Sequence, residues 1–443
     1  MSLQVSNCYD SHVHWLATGQ MLTTLRLHQL KNAEDIAQIE IPENAGSWVT
    51  GFGWDQNLWQ TKNFPSRELL DQAFGDRKVV LFRADGHALW VSSAVLRHIG
   101  WAQSDGTFNA PESPTGGEVL LDKQGQPTGV LIDQAMAFVK PHLPTPSPED
   151  IGRDLMRATR YFNSKGFTHI RDMSCSEQQW HQARILEDSG QLTLFVDQLF
   201  DTMDPEGFDQ AMKLALAARK DKSRLLRPQG LKVFYDGALG SNGALLSKPY
   251  KETGKSGLRI LSEPQLAEFI RRSWDEDFDI AVHCIGDQAS FEVLRVANKL
   301  FDQGLRGRLH LEHAQLLSDE SLKLISKLDV VCHMQPCHFL SDRRWLRDKL
   351  GDLYPRLFRW ADLEKQGSPV FFGSDEPIEP TGVLVNQQAV VQAAQEGLPS
   401  PKKPVVQFQS YPIDDDCRTQ FDDQGQVTKM DFLGQGLVID ASV

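Results

Sequence analysis

His12 and His14 stand two residues apart in "NCYDSHVHWL" (7–16). Side chains on a strand alternate between faces, so residues i and i+2 point the same way and both rings could grip one ion. Thirteen histidines in 443 residues leave room for an accidental pair, so the rest of the ligands must decide. Other chemistry-bearing residues recur where short apolar, β-branched segments end. They are Lys232 in "GLKVFYDGALGS" (230–241), His283 in "DIAVHCIGD" (279–287), His313 in "RLHLEHAQ" (308–315) and Asp375 in "PVFFGSDEP" (369–377). Singly, each has a plain alternative: Lys232 as a surface cation, Asp375 as an N-cap or turn residue before Pro377. Jointly, four histidines, a lysine and an aspartate at strand ends form a metal-ligand inventory. Imidazole and carboxylate without thiolate suit Zn²⁺, and leave Mn²⁺, Fe²⁺ and Co²⁺ open.

The elements that must position these groups follow from the hydrophobic pattern. With "CYDSHVH", "KVVLFRADGH" (78–87), "GFTHIRDMS" (166–174) and "DVVCHMQPCH" (329–338), the segments number eight and alternate with stretches of helical character. "ASFEVLRVANKLFDQG" repeats its apolar positions at about 3.6 spacing and closes on a glycine. The alternation predicts an α/β fold of the (β/α)₈ barrel type, whose site lies at the C-terminal strand ends. Residues 1–399 would form this barrel with an insertion at about 88–165, where "GEVLLDKQGQPTGVLID" reads as two strands about a turn. An excursion of that length could cover the site as a lid. Residues 400–443 form a C-terminal extension in which "CRTQFDDQGQVTKMDF" reads as a hairpin about "DDQGQ".

Composition narrows the function classes. Apolar residues make up 40% and charged residues 24%, and no apolar run reaches the roughly 18 residues of a membrane span. The first residues lack a secretory pattern, which leads to the expectation of a cytoplasmic protein. Cys8, Cys175, Cys284, Cys332, Cys337 and Cys417 form no CxxC pair and read as reduced thiols. With 46 basic against 59 acidic residues the net charge is −13, and no basic stripe offers a phosphate-tracking surface. The expected partner is therefore a small-molecule substrate, with neither nucleic acid nor membrane, and a homodimer is compatible with this reading. Trp15, Trp48, Trp54, Trp59, Trp90 and Trp101 crowd the first 101 residues; core packing is the commoner use of such aromatics, an aromatic-lined pocket the alternative.

"DSHVH", "GFGWDQNLW", "FPSRELLDQAFGDRKVVLFRADGHALWVSSAVL", "GLKVFYDGALGSNGALL", "AVHCIGDQA", "LEHAQ", "MQPCHFLSD" and "FRWADLEKQGSPVFFGSDEPIEP" occur in that order over about residues 8–385. Together they resemble the amidohydrolase superfamily and, within it, the amidohydrolase 3 branch that includes N-substituted formamide deformylases. The resemblance implies that His12, His14 and Asp375 hold one divalent ion, that His283 and His313 hold a second, and that Lys232 bridges them as an N-carboxylated side chain. Electrostatics agrees with the bridge, because an ammonium between two dications would be repelled whereas a carbamate supplies an anion. The alternative keeps Lys232 unmodified beside an acidic neighbour, with a single ion.

The implied activity is hydrolysis of a C–N bond in an amide or formamide, with the ion lowering the pKa of water toward about 7. Asp375 would act as general acid and base. His87 and His338, ending the second and seventh segments, could donate to a substrate carbonyl. Asp236 shares a strand face with Lys232 and could order the site or simply start the "DGALGS" turn. Two other readings are a mononuclear deaminase of the same superfamily and a non-catalytic metal-binding relative. Relatives carry an accessory β domain built from about their first fifty residues and their last; eleven residues precede His12 here, so that domain is expected to be largely missing.

Overall fold

The computed structural model describes residues 3–40, 48–84, 88–114, 117–202, 207–251, 254–413 and 415–438. Two compact units are formed, Met1–Gly19 with Pro148–Val443, and Gln20–Ser147. In the first, segments such as Leu309–His313 and Val330–Met334 bury every side chain, a pattern that only a sheet covered on both faces can satisfy. Its strands are β1 (Tyr9–Val13), β2 (His169–Asp172), β3 (Phe195–Asp201), β4 (Leu226–Phe234), β5 (Asp279–Cys284), β6 (Leu309–His313), β7 (Val330–Met334) and β8 (Val370–Phe372). They pair in parallel in chain order as one eight-stranded sheet. Beyond the last residues of β8 the sheet almost closes on β1, since Asp375 N donates to His12 O at 2.8 Å and His14 N to Glu376 O at 2.9 Å. The result is the expected α/β barrel.

Helices on the outside start where the sequence supplies caps. Ser176 Oγ accepts from Gln179 N at the head of Glu177–Asp188. Ser262 and Gln265 form a reciprocal capping box for Glu263–Asp275, and Ser318 caps Asp319–Ile325. Close packing of β4 on β5 depends on Gly230, because a Cβ there would lie 1.9 Å from the Asp279 carbonyl oxygen. Gly230→Ala should therefore force the two strands apart and cost about 1–3 kcal/mol. A lowered thermal midpoint relative to the parent would register it; an unchanged midpoint would mean the strands yield freely.

Two expectations are corrected. Lys78–Arg83 is not a barrel strand but part of the second unit, and the missing barrel strand is Phe195–Asp201. Its Asp197 and Gln198 interrupt the apolar pattern, yet both are buried, Asp197 on the face of its register partner Arg171, where Tyr411 donates to it at 3.1 Å, and Gln198 on the opposite face of the strand. The accessory β structure is also present. Leu3–Ser6 pairs antiparallel with Arg418–Phe421, followed by Val427–Phe432 and Gln435–Leu437, in a four-stranded sheet. The turn about Asp422 holds because its Oδ1 accepts from Gln424 N and Gln426 N at 2.9 and 2.8 Å.

The second unit is a six-stranded sheet ordered Leu25–Arg26, Trp48–Trp54, Lys78–Arg83, Ala88–Val91, Pro127–Asp133, Gly117–Leu121. The interruption of the barrel thus spans Gln20–Ser147, wider than the expected 88–165. Trp54, Trp59 and Trp90 lie in this unit's core with ring centroids 6.0 to 6.5 Å apart, the packing role expected of them. Among the described residues no helix is long and apolar enough to cross a membrane.

Candidate metal centre

Asp10 stitches the end of the chain's last barrel strand to its first. Its Oδ1 accepts from Ser374 N at 2.9 Å, and its Oδ2 accepts from Ser374 Oγ at 2.7 Å and from Thr381 Oγ1. Gly373 permits the approach, because a Cβ would lie 2.6 Å from His12 N. Asp375 and His313 are then held at φ 66° and 69°. Such left-handed backbone costs a non-glycine residue about 1–3 kcal/mol and persists only where surroundings over-determine it.

The stitched loop places Asp375 Oδ1 3.3 Å from His12 Nε2 and 3.3 Å from His14 Nε2. Ligands 2.0–2.1 Å from a tetrahedral ion stand about 3.3 Å apart, so these three atoms have the separation that one cation requires. Asp375 Oδ1 accepts no hydrogen bond although it is buried, an arrangement costly without a cation to face. Burial opposes the Asp375 charge, yet His12 first and then His14 and His313 hold its carboxyl well below the usual carboxylate range. Burial likewise opposes a charged His12, while Asp375 and Glu312 outweigh it and raise its pKa.

Lys232, His283 and His313 occupy the ends of β4, β5 and β6 on the same side. The His283 and His313 ring centroids are 4.5 Å apart, and His313 lies 4.8 Å from His12. Burial, then Lys232, pushes the His283 pKa down to about 3, and burial with His283 depresses His313 well below its usual value. Both rings are therefore neutral, the form a metal ligand needs. His313 Nδ1 donates to Gln335 Oε1 at 2.8 Å, which frees Nε2, and His283 Nε2 is buried without a hydrogen-bond partner. Lys232 is 1% exposed, with its Nζ 4.5 Å from the centre of the Phe234 ring. Burial lowers its pKa despite Glu312 and Asp375.

His338, in the first turn of Cys337–Leu350, brings Nε2 to 3.6 Å from Asp375 Oδ2. Asp236 is spent on the backbone: its carboxylate accepts from Leu245 N, Ile285 N and Gly286 N at 2.8, 2.9 and 2.9 Å. It ties the loop after β4 to the loop after β5 and stays 3.8 Å from His283 Nε2. His87 lies outside the described residues.

Glu312 and Arg171 had no place in the sequence reading. Both are wholly buried; Glu312 Oε2 accepts from His12 Nδ1 at 2.6 Å and Oε1 from Arg171 Nη1 at 2.6 Å. A charged residue between two histidines of a buried strand, as in "HLEH", is the one local signal that could have flagged Glu312. His310, Glu312 and His333 also bring ligand atoms within 4.8 Å of one another. There, however, His310 bonds His333 at 2.8 Å and Asp279 at 2.9 Å, so most of the ligand atoms are already occupied.

Comparison with known proteins places this arrangement. The Bacillus subtilis protein YtcJ is 30% identical over 86% of this chain and 72% of its own length. The Arabidopsis thaliana protein LONG AFTER FAR-RED 3 is 28% identical over 84% of this chain and 66% of its own length. The structure of an uncharacterized metal-dependent hydrolase from Pyrococcus furiosus superposes with a TM-score of 0.70 at 28% identity, covering 88% of this chain and 77% of that one. The amidohydrolase family model matches residues 9–403, a span that runs from the strand bearing His12 and His14 past Asp375, and the chain belongs to the amidohydrolase family.

Proposed function

We propose that the protein is a metal-dependent hydrolase of C–N bonds in small amides or formamides. The observation that carries this reading is Asp375 Oδ1 set 3.3 Å from both His12 Nε2 and His14 Nε2, in a member of this family. An N-substituted formamide deformylase of Arthrobacter pascens, 26% identical over 61% of this chain and 50% of its own length, supports the substrate class.

His12, His14 and Asp375 would hold one divalent cation, zinc by ligand type, with His283, His313 and carboxylated Lys232 holding a second. Cations there supply Lewis acidity and make water acidic enough to lose a proton near neutral pH. Asp375 would accept a proton from the attacking water and return it to the leaving nitrogen. His338, beside Asp375 Oδ2, donates to the substrate oxygen as negative charge grows on it. Asp236 keeps the loops after β4 and β5 in register, so that Lys232 and His283 stay in reach of one another.

Carboxylation of Lys232 requires a neutral amine, which its burial favours. The Nζ lone pair forms a bond to the carbon of CO₂, one C=O electron pair moves onto oxygen, and the ammonium-like nitrogen gives a proton to solvent. Protein equilibrated with ¹³C-bicarbonate should show one carbamate resonance that disappears in Lys232→Met. A spectrum with no such resonance in metal-loaded protein would favour the one-ion reading, which the tight His12, His14, Asp375 group also fits.

The function is tested by offering N-formyl, N-acyl and cyclic amides to zinc-loaded and chelated protein and measuring released amine or acid. Release by the loaded form alone is expected. Silence across the panel with full metal occupancy would sink the C–N assignment.

A further inference from the structure

The Arg171–Glu312 pair lies inside the barrel, with both side chains fully buried, and stands on the opposite side of His12 from Asp375. His12 Nδ1 faces Glu312 Oε2 at 2.6 Å while His12 Nε2 faces Asp375 Oδ1 at 3.3 Å. A neutral imidazole has one N–H and one lone pair, and the partner of one nitrogen decides the state of the other. Glu312 is an acceptor only, so it requires the proton on Nδ1 and leaves the lone pair on Nε2. Arg171 in turn holds the carboxylate through Nη1, and its Nε donates to Gln229 Oε1 at 2.5 Å.

We infer that Glu312, anchored by Arg171, is a positioning residue that fixes the His12 tautomer and delivers Nε2 to the metal. The inference rests on His12 being a ligand, as proposed above. It also assigns Glu312 a different part from that of a ligand in the His310, Glu312, His333 group, where a cation would have to approach the Arg171 guanidinium.

The substitution Glu312→Gln separates these roles. An amide has one acceptor oxygen, and guanidinium can only donate. The oxygen of the introduced amide must therefore turn to Arg171 and its NH₂ group to His12 Nδ1, which becomes the acceptor. The His12 proton then moves to Nε2, the atom aimed at the metal. Zinc affinity, read by competition with a chromogenic chelator, should fall about 10–100-fold, the range for loss of a supporting partner.

The double variant Glu312→Gln, Arg171→Met releases the amide oxygen to accept from His12 Nδ1 again, so zinc affinity should return toward the parent value. A purely structural contribution from the ion pair would leave the double variant no tighter than the single one. Wild-type affinity in Glu312→Gln, or no recovery in the double variant, overturns the inference. If Glu312→Gln does not fold, the ¹⁵N-histidine spectrum of zinc-loaded parent protein decides: a proton on His12 Nδ1 supports positioning, and a proton on Nε2 refutes it. Failure of the parent to bind zinc would instead count against the metal reading itself.

Discussion

Asp375→Asn should keep most of its metal and lose turnover by about two to four orders of magnitude, the usual contribution of a positioned acid-base group. Asparagine preserves the shape of the side chain and an oxygen that can still face His12 and His14, while the other ligands are untouched. What it lacks is a carboxylate able to receive a proton. Asp375 is suited to that exchange because its Oδ1 faces the two imidazoles at 3.3 Å while its Oδ2 lies 3.6 Å from His338, so one oxygen serves binding and the other is turned toward the chemistry. Metal content by elemental analysis and kcat on the best amide separate the two functions. A variant with full metal and near-normal kcat would move proton acceptance to another group, and His338 is the next to substitute.

Removal of a direct ligand acts on binding first. His12→Ala should weaken zinc by more than the about 10–100-fold that loss of an outer partner costs, and hydrolysis should fall with occupancy. Stability reports the same event independently. A ligand that binds only the folded chain stabilises it by about 2.7 kcal/mol at 100 times its Kd. Chelator should accordingly lower the unfolding midpoint of the parent by more than it lowers that of His12→Ala, which keeps only the second group of ligands intact. Equal sensitivity of both proteins to chelator would place the metal elsewhere, with His310 and His333 as the obvious alternatives.

The parts of the molecule that could be read in advance are those in which local pattern and global position coincide. Spacing puts His12 and His14 on one face without deciding that they share an ion; the positions of Lys232, His283, His313 and Asp375 at strand ends are legible from the apolar segments that carry them, and barrel chemistry sits at such ends. Phe195–Asp201 escapes because its Asp197 and Gln198 are polar yet buried on the two faces of the strand, where the usual equation of buried with apolar fails. Lys78–Arg83 misled for the opposite reason: an apolar β-branched run identifies a buried strand without saying which sheet it joins. Leu3–Ser6 depends on pairing with Arg418–Phe421, and no local pattern connects chain segments so far apart. Arg171 and Glu312 are 141 residues apart, and neither announces its partner. The closure that sets Asp375 between His12 and His14 rests on Asp10, Ser374 and Thr381, ordinary residues whose role exists only once the barrel has formed.

The metal centre is tested most directly by anomalous diffraction from zinc-loaded crystals, recorded on both sides of the zinc absorption edge. The expected result is a peak among His12 Nε2, His14 Nε2 and Asp375 Oδ1, with a second beside His283, His313 and Lys232 if that lysine is carboxylated. A fully loaded crystal whose only peak lies among His310, Glu312 and His333, or one with no peak near Asp375, would contradict it.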